Sequence, residues 1–277
     1  MGGENRDTSN VFGGEIEETL GKDRQFVTAL ARGLELLRCF RAGEKYLGNR
    51  EIAKRTGLPK PTVSRLTYTL TQLGYLTYSE NMGKYSLGTA VLSLGYSFLS
   101  NLDIRRIARP MMRELADYSH ASVSIGARDR LEIVYLENCR CNSTSFALHP
   151  TIGSHLPLFT TAIGRAYLCG IRESERDYLM NMIRLRDRNE WPKINAGVEQ
   201  AMIDYEEKGF CLSIGDFHKE ISAVAVPYVP PTYDSEVLSF NCGGPAFQLR
   251  RHMLEDDIGP HLVTLVRNVQ SEMNRHH

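Results

Sequence analysis

The chain has 277 residues, enough for one large domain or two ordinary ones. At 42% apolar and 24% charged it has the composition of a soluble globular protein, not a fibrous or low-complexity one, and no run approaches the ~18 consecutive apolar residues of a membrane helix. The formal net charge is zero, which excludes a uniformly basic or acidic polyion binder but hides three unlike parts: three bases and six acids in residues 1–25, ten and four in 26–88, twenty and twenty-three in 89–277.

Residues 1–25 are polar, rich in Gly and Glu, and lack the apolar stretch of a signal peptide; they read as a mobile tail. The basic segment that follows, set before a mildly acidic remainder, points to a polyanion partner for that segment alone. Residues 27–41, VTALARGLELLRCFR, place Leu30, Leu34, Leu37 and Phe40 at helical spacing, and Gly43 and Gly48 break the pattern. REIAKRTG is a short helix with Ile52 and Ala53 inward and Gly57 as its stop. Leu58 and Pro59 turn the chain, and Pro61 suits the first turn of a third helix reaching about Leu73. At about 100° per residue, Val63, Leu66, Leu70 and Leu73 share one face of that helix. The opposite face carries Pro61, Ser64, Arg65, Tyr68 and Gln72 and no acid.

Two helices joined by a tight turn, the second exposing hydrogen-bond donors, make a helix-turn-helix. YLTYSE and KYSLG around NMG read as a hairpin turning at Gly83, the wing of a winged helix. Double-stranded DNA carries a negative charge about every 1.7 Å of axis, so its reader needs cations at the phosphates. Arg50, Lys54, Arg55 and Lys84 suit that role, while the helix from Lys60 brings Thr62, Ser64, Arg65 and Tyr68 toward base edges or nearby phosphates. The alternative is a metabolite-binding protein or enzyme whose basic module serves assembly; the steep salt dependence of phosphate contacts separates the two.

TAVLSLGYSFLSN is an apolar helix whose Leu92, Leu94, Phe98 and Leu99 suit a partner chain or the chain's own domain. Beyond it, IRRIARPMMRELADYS is helical, and ASVSIGAR and LEIVYLENC are strands around Asp129-Arg130. SFALH reads as a third strand, FTTAIGRAYLCGI as a buried helix, VEQAMIDYEEKGF as an amphipathic helix ending at Gly209, AVAVPYV and EVLSFNCGG as strands, and Asp257 to Met273 as a last helix. Strands and helices mixed without βαβ regularity give an α+β class, an antiparallel sheet with helices packed on it. G-x-S-x-G, H-E-x-x-H, Walker and G-x-G-x-x-G signatures are missing, so the expectation is a protein that is not an enzyme and needs no cofactor. The six cysteines read as reduced thiols in the cytoplasm. Cys139-x-Cys141 near His149 and His155 has the wrong spacing for a zinc site.

ALARGLELLRCF, EIAKRTGLPKPTVSRLTYTLTQLGYL and KYSLG, then LPLFTTAIGRAYL, EEKGF, AVAVP and CGGPA, resemble in their order the IclR family of bacterial transcription regulators, over about residues 26 to 270. The resemblance implies a winged helix-turn-helix in 26–88, a linker helix in 89–103 and a GAF-like effector-binding domain in 104–273. It implies promoter DNA as one partner, a small effector, often a carboxylate or an aromatic degradation intermediate, as another, and a homodimer or homotetramer joined largely through the DNA-binding half. Carried over by motif position, the effector cleft falls at Leu156, Ala162 and Ile163, at Ser213, Ile221 and Ala223, and at Asn241 and Gly243. Thr160 and Thr161 open a helix whose free N–H groups suit a carboxylate. The chain departs from the family's pattern at Phe217, His218, Lys219 and Glu220, where many relatives carry acids and a glycine, and at Asn241 and Gly243, where others often carry serines.

Overall fold

The structure, a computed structural model, describes residues 24–41, 43–141, 151–231 and 236–276. The expected tail lies outside these residues except for its last two, as does the strand expected at SFALH. The chain divides into two compact units, up to Asn101 and from Leu102.

In the first unit, α1 (Thr28–Arg38), α2 (Asn49–Thr56) and α3 (Lys60–Gln72) precede the hairpin β1 (Leu76–Ser79) and β2 (Lys84–Leu87). Local chemistry sets the boundaries. Gly48 begins α2 by donating its N–H to Glu51 Oε2 at 2.7 Å. Gly57 ends that helix in the left-handed region at φ 70°, which a Cβ would disfavour. Pro61 lies in the first turn of α3, where no N–H is required.

Leu36, Cys39, Leu47, Ile52, Val63 and Leu76 form the core, with Leu66, Leu70 and Ala53 packed against it. Two expectations change. Leu73 caps α3 and is exposed, because the chain turns at Gly74 before Leu73 can follow the apolar face inward. Leu30 and Leu34 are also exposed, since α1 turns Gly33 and Leu36 to the core and leaves a second apolar face outside. The apolar helix α4 (Thr89–Ser100) buries none of its residues.

The second unit is a six-stranded antiparallel sheet in the order β5-β4-β3-β8-β7-β6. Its strands are β3 (Ser122–Asp129), β4 (Glu132–Arg140), β5 (His155–Pro157), β6 (Cys211–Ile214), β7 (Ile221–Tyr228) and β8 (Leu238–Pro245). Helices α5 (Asp103–Ser119) and α10 (Gly259–His276) pack on the sheet and on each other. Arg105 of α5 reaches Glu137 of β4 at 3.0 Å, and Ser119 meets Cys242 of β8 at 3.4 Å, so alternate residues of those strands point to this side.

Helix α6 (Ala162–Gly170) packs on β6, β7 and β8, with α8 (Trp191–Lys208) beside it and α7 (Glu173–Arg186) against α8. Sequence patterning missed α7. It buries only Leu179 and Ile183, too few to mark an apolar stripe, although Glu173 and Glu175 at its start and Arg184 and Arg186 at its end favour the helix dipole. The last helix begins earlier than expected, through a short α turn (α9, Arg251–Met253) and a π turn over Leu254–Ile258. Gly259 lies where a Cβ would come within 2.6 Å of the Phe210 ring, so glycine is needed at the junction.

Two further glycines let α6 close on its surroundings. A Cβ on Gly126 of β3 would lie 2.9 Å from Ile163 Cδ1, and one on Gly164 would lie 2.0 Å from the Leu158 carbonyl oxygen. The second contact is with backbone and cannot be relieved by a side-chain rotation. Gly164→Ala is therefore expected to destabilise the second unit by about 1–3 kcal/mol or more, measured by urea unfolding against wild type.

Candidate nucleic-acid interface and ligand cavity

In the first unit, α3 presents Pro61, Ser64, Arg65, Tyr68 and Gln72 to solvent, as its periodicity requires, with Lys60 exposed at its start. Thr62 is half-buried. On α2, Arg50 and Lys54 are exposed. The two helices are locked by a polar contact: Asn49 Nδ2 donates to the Ser64 hydroxyl at 3.3 Å, and the buried Thr67 hydroxyl lies 3.4 Å from Asn49 Oδ1. Ser64 thus has one oxygen lone pair committed within the protein.

Two of the expected phosphate contacts are instead internal ties. Arg55 forks onto Glu44, with its second arm at 2.8 Å, and also donates to the Cys39 carbonyl at 2.8 Å. It binds α2 to the chain after α1. Its hydrogen bond lowers the Glu44 carboxyl pKa against a small opposing effect of burial, and its charge and that of Arg41 add to the lowering. Lys84 pairs with Glu51 at 3.1 Å, fixing the base of the wing to α2. The Glu51 carboxyl pKa is lowered first by the Gly48 N–H and then by Lys84. Tyr85 pairs with Leu47 and packs its ring 4.9 Å from Tyr78, holding the hairpin from its other side.

In the second unit, a cavity with about 100 Å³ of room for the centres of water-sized atoms opens between the sheet, the start of α6 and the loop after β6. That is several times what one water requires. Leu156, Thr161, Ala162, Ile163, Ser213, Ile221, Ala223, Asn241 and Gly243 all line it. These residues come from four separate stretches of chain, brought together by strand register: Ala223 lies opposite Gly243, and both Ala223 and Ser213 occupy the same rung of β6 and β7.

Thr160 does not line the cavity; its carbonyl accepts the Ser213 hydroxyl at 3.0 Å. Ser213 is therefore an acceptor toward any ligand, its own proton being spent. Thr161 caps α6, taking the Gly164 N–H at 3.2 Å. The N–H groups of Ala162 and Ile163, in the same first turn, have no acceptor inside the helix.

Sequence patterning missed Tyr135 and Arg140, which also line the cavity, as does Phe217, one of the positions where the chain departs from the family's pattern. Arg140 ends β4 opposite Ser122 and lines the wall. Tyr135 faces inward because a bulge between Ile125 and Gly126 resets the register of β3 against β4. Burial raises the Tyr135 phenol pKa, and the Asn241 amide and Ser124 hydroxyl pull it partly back. Asn241 is 6% exposed, and its Oδ1 is buried without a hydrogen-bond partner. Phe217 stands at the wall with the His218 ring edge-on, centroids 4.1 Å apart.

The loop bearing Phe217 is held by Arg165, a buried residue of α6. Its guanidinium donates to the Phe159 carbonyl at 3.2 Å, the Leu212 carbonyl at 3.1 Å and Asp216 Oδ2 at 2.6 Å. Cys139 and Cys141 diverge: the first lies against the Arg109 carbonyl at 3.8 Å, the second beside His120 Nδ1 at 3.5 Å. His155 pairs with Glu132 at 3.0 Å. Among the described residues no group of three or more His, Cys, Asp or Glu is placed to hold a metal, and no helix is long and apolar enough to cross a membrane.

Comparison with known proteins joins the two sites. Residues 29–80 match the IclR helix-turn-helix domain, and residues 96–237 match the bacterial transcriptional regulator IclR C-terminal domain. The HTH-type transcriptional regulator TsaQ1/TsaQ2 of Comamonas testosteroni is 38% identical over 89% of this chain and 88% of its own. The crystal structure of an IclR family transcriptional regulator from Brucella abortus is 52% identical, with a TM-score of 0.85 over 91% of this chain and 94% of that one. An IclR homolog from Microbacterium hydrocarbonoxydans, complexed with 4-hydroxybenzoate, is 15% identical and shares the fold, with a TM-score of 0.69 over 89% of this chain and 99% of that one.

Arg55→Ala is expected to lower the stability of the first unit by about 1 kcal/mol at neutral pH, the pair being partly solvent-screened. Glu44 is the carboxylate whose folded pKa is depressed, so the pair's stabilisation is present above the ordinary carboxylate range and is lost as pH falls through the lowered value. The stability gap between wild type and Arg55→Ala should therefore close in acid, as measured by thermal melts across pH.

Proposed function

The chain belongs to the IclR family of transcription regulators, and on that premise we propose that it is a one-component sensor whose hold on its promoter is set by a small organic acid bound in the second unit's cavity. The observation that carries the effector's chemistry is the composition of that cavity, in which the Asn241 amide side chain and Ser213 stand among apolar walls beside the first turn of α6. Ser213, its proton already given to Thr160, presents an acceptor. The first turn of α6 favours negative charge in the same space. Leu156, Ile163, Ile221 and Phe217 supply apolar walls.

The ligand that fits is a small carboxylate with a hydroxyl on an apolar body. The 4-hydroxybenzoate held by the Microbacterium homolog has both groups. At the DNA, Arg65 and Tyr68 on the outward face of α3 read the major groove, and Arg50, Lys54 and Lys60 hold phosphates. The regulator acts in the cytoplasm as a homodimer, or a pair of dimers. Leu30 and Leu34 of α1 with Leu92, Leu94 and Phe98 of α4 offer exposed apolar surface for the partner copy. Two recognition helices then reach half-sites about one DNA turn apart. Effector binding shifts the population between states of different promoter affinity; a coupling of ~1–3 kcal/mol changes that affinity roughly 5–150-fold.

Arg65→Ala is expected to cost ~1–3 kcal/mol of affinity for the protein's own upstream DNA with the melting temperature unchanged; undiminished binding in a fluorescence-anisotropy titration would remove Arg65 from the interface. Asn241→Leu is expected to abolish the thermal shift produced by hydroxybenzoates and other small acids while leaving DNA affinity intact. A mutant that still responds like wild type would place the effector elsewhere.

A further inference from the structure

At the end of α6 away from Thr161–Ile163, two thiols meet. Cys169, the penultimate residue of α6, and Cys211, the first of β6, have Sγ atoms 3.5 Å apart. Both thiols also lie against one acceptor, the Ala201 carbonyl of α8, at 3.8 and 3.5 Å. Cys169 is partly exposed, whereas Cys211 is fully buried. A disulfide needs an S–S distance of about 2.0 Å, so the sulfurs have to close by roughly 1.5 Å. Gly170 follows Cys169, and Gly209, at φ 80°, lies two residues before Cys211.

The two thiols are electrostatically unequal. The hydrogen bond with Cys211 lowers the Cys169 pKa, burial opposes the shift, and the Arg176 charge reinforces it while Glu206 works against it. Cys211 is pushed well up by Cys169 and by burial, with Asp204 adding to the rise and Arg165 opposing it. The exposed thiol of the pair is thus the one that ionises more easily, and the nucleophile in thiol oxidation is the thiolate.

We propose that Cys169 and Cys211 form a reversible redox pair, in which a hydroperoxide drives a disulfide that staples α6 to β6 and gives the regulator a second, oxidant input. The Cys169 thiolate attacks one peroxide oxygen, the O–O bond breaks, hydroxide (or alkoxide) departs, and Cys169 becomes a sulfenic acid. The Cys211 sulfur then attacks Cys169 Sγ, the S–O bond breaks, and the departing hydroxide takes the Cys211 proton as water. Overall two thiols lose two electrons, and hydrogen peroxide is reduced to two waters. The staple joins the two elements that wall the ligand cavity, since α6 begins with Ala162 and Ile163 and β6 carries Ser213 two residues beyond Cys211.

The test uses the full-length reduced protein treated with hydrogen peroxide, then alkylated and digested with trypsin. Cleavage after Arg165, Arg172, Lys208 and Lys219 leaves the two cysteines on separate peptides. The expected product joins Ala166–Arg172 to Gly209–Lys219 with the mass of two hydrogens lost, and the thiol titre falls from six to four and recovers with dithiothreitol. Affinity for the protein's own upstream DNA should differ at least about fivefold between oxidised and reduced forms, and Cys169→Ser and Cys211→Ala should both remove the difference. Alkylated Cys211 beside a sulfinic or unmodified Cys169 overturns the pair. A clean disulfide with unchanged DNA affinity overturns the oxidant input, and it leaves the organic-acid reading standing on its own separate test with Asn241→Leu.

Discussion

A buried arginine holds the second unit's functional end together. The Arg165 side chain is only 7% exposed, and it spans from α6 to two backbone carbonyls and the Asp216 carboxylate. An arginine taken out of water this far is tolerable only when its donors are met. Everything near the cavity is arranged around that requirement. Gly197 of α8 leaves room for the guanidinium, since a Cβ there would lie 2.3 Å from it. The Leu212 carbonyl fixes β6, and with it Ser213, at a set distance from α6. Asp216 draws in the loop whose next residue, Phe217, forms part of the cavity wall.

The cavity exists because α6 lies close to the sheet at some points and stands away at others. Gly126 lets β3 approach Ile163 at the start of α6, and Gly164 lets the same turn close on the Leu158 backbone, while Thr161 caps the helix. The result is a space with apolar walls and a few oriented polar groups, the usual composition of a small-ligand site. Asn241 is one of those polar groups, nearly buried and with its amide beside the Tyr135 phenol. Arg165 comes near the same region, but its guanidinium is engaged by the Phe159 and Leu212 carbonyls and Asp216.

The first unit divides its charges. Arg55 and Lys84 answer Glu44 and Glu51 and so tie helices and wing into one body, while Arg50, Lys54, Lys60 and Arg65 remain on exposed faces. A DNA reader needs both kinds, because phosphate contacts are useful only on a scaffold that holds them in register. Leu30 and Leu34 of α1 and Leu92, Leu94 and Phe98 of α4 remain exposed among the described residues.

What the sequence determined by itself was what depends on residues a few positions apart. The apolar period of α3, the glycine stop at Gly57, the wing turning at Gly83 and the pair of strands β3 and β4 around Asp129-Arg130 are local, and each was legible in the string. The resemblance by motif also drew together the stretches around Leu156, Ser213 and Asn241, although periodicity alone could not have done so. Tertiary structure decided which of several chemically equivalent side chains does what. Arg55 and Arg65 are both arginines on short helices of one basic module, but only packing sets Glu44 against the first and solvent against the second. Tyr135 enters the cavity through a bulge that no alternation pattern reveals, and Cys169 finds Cys211 across 42 positions of chain. Partners of this kind are chosen by distance in space, and that distance is set only once the helices and sheet have closed on one another.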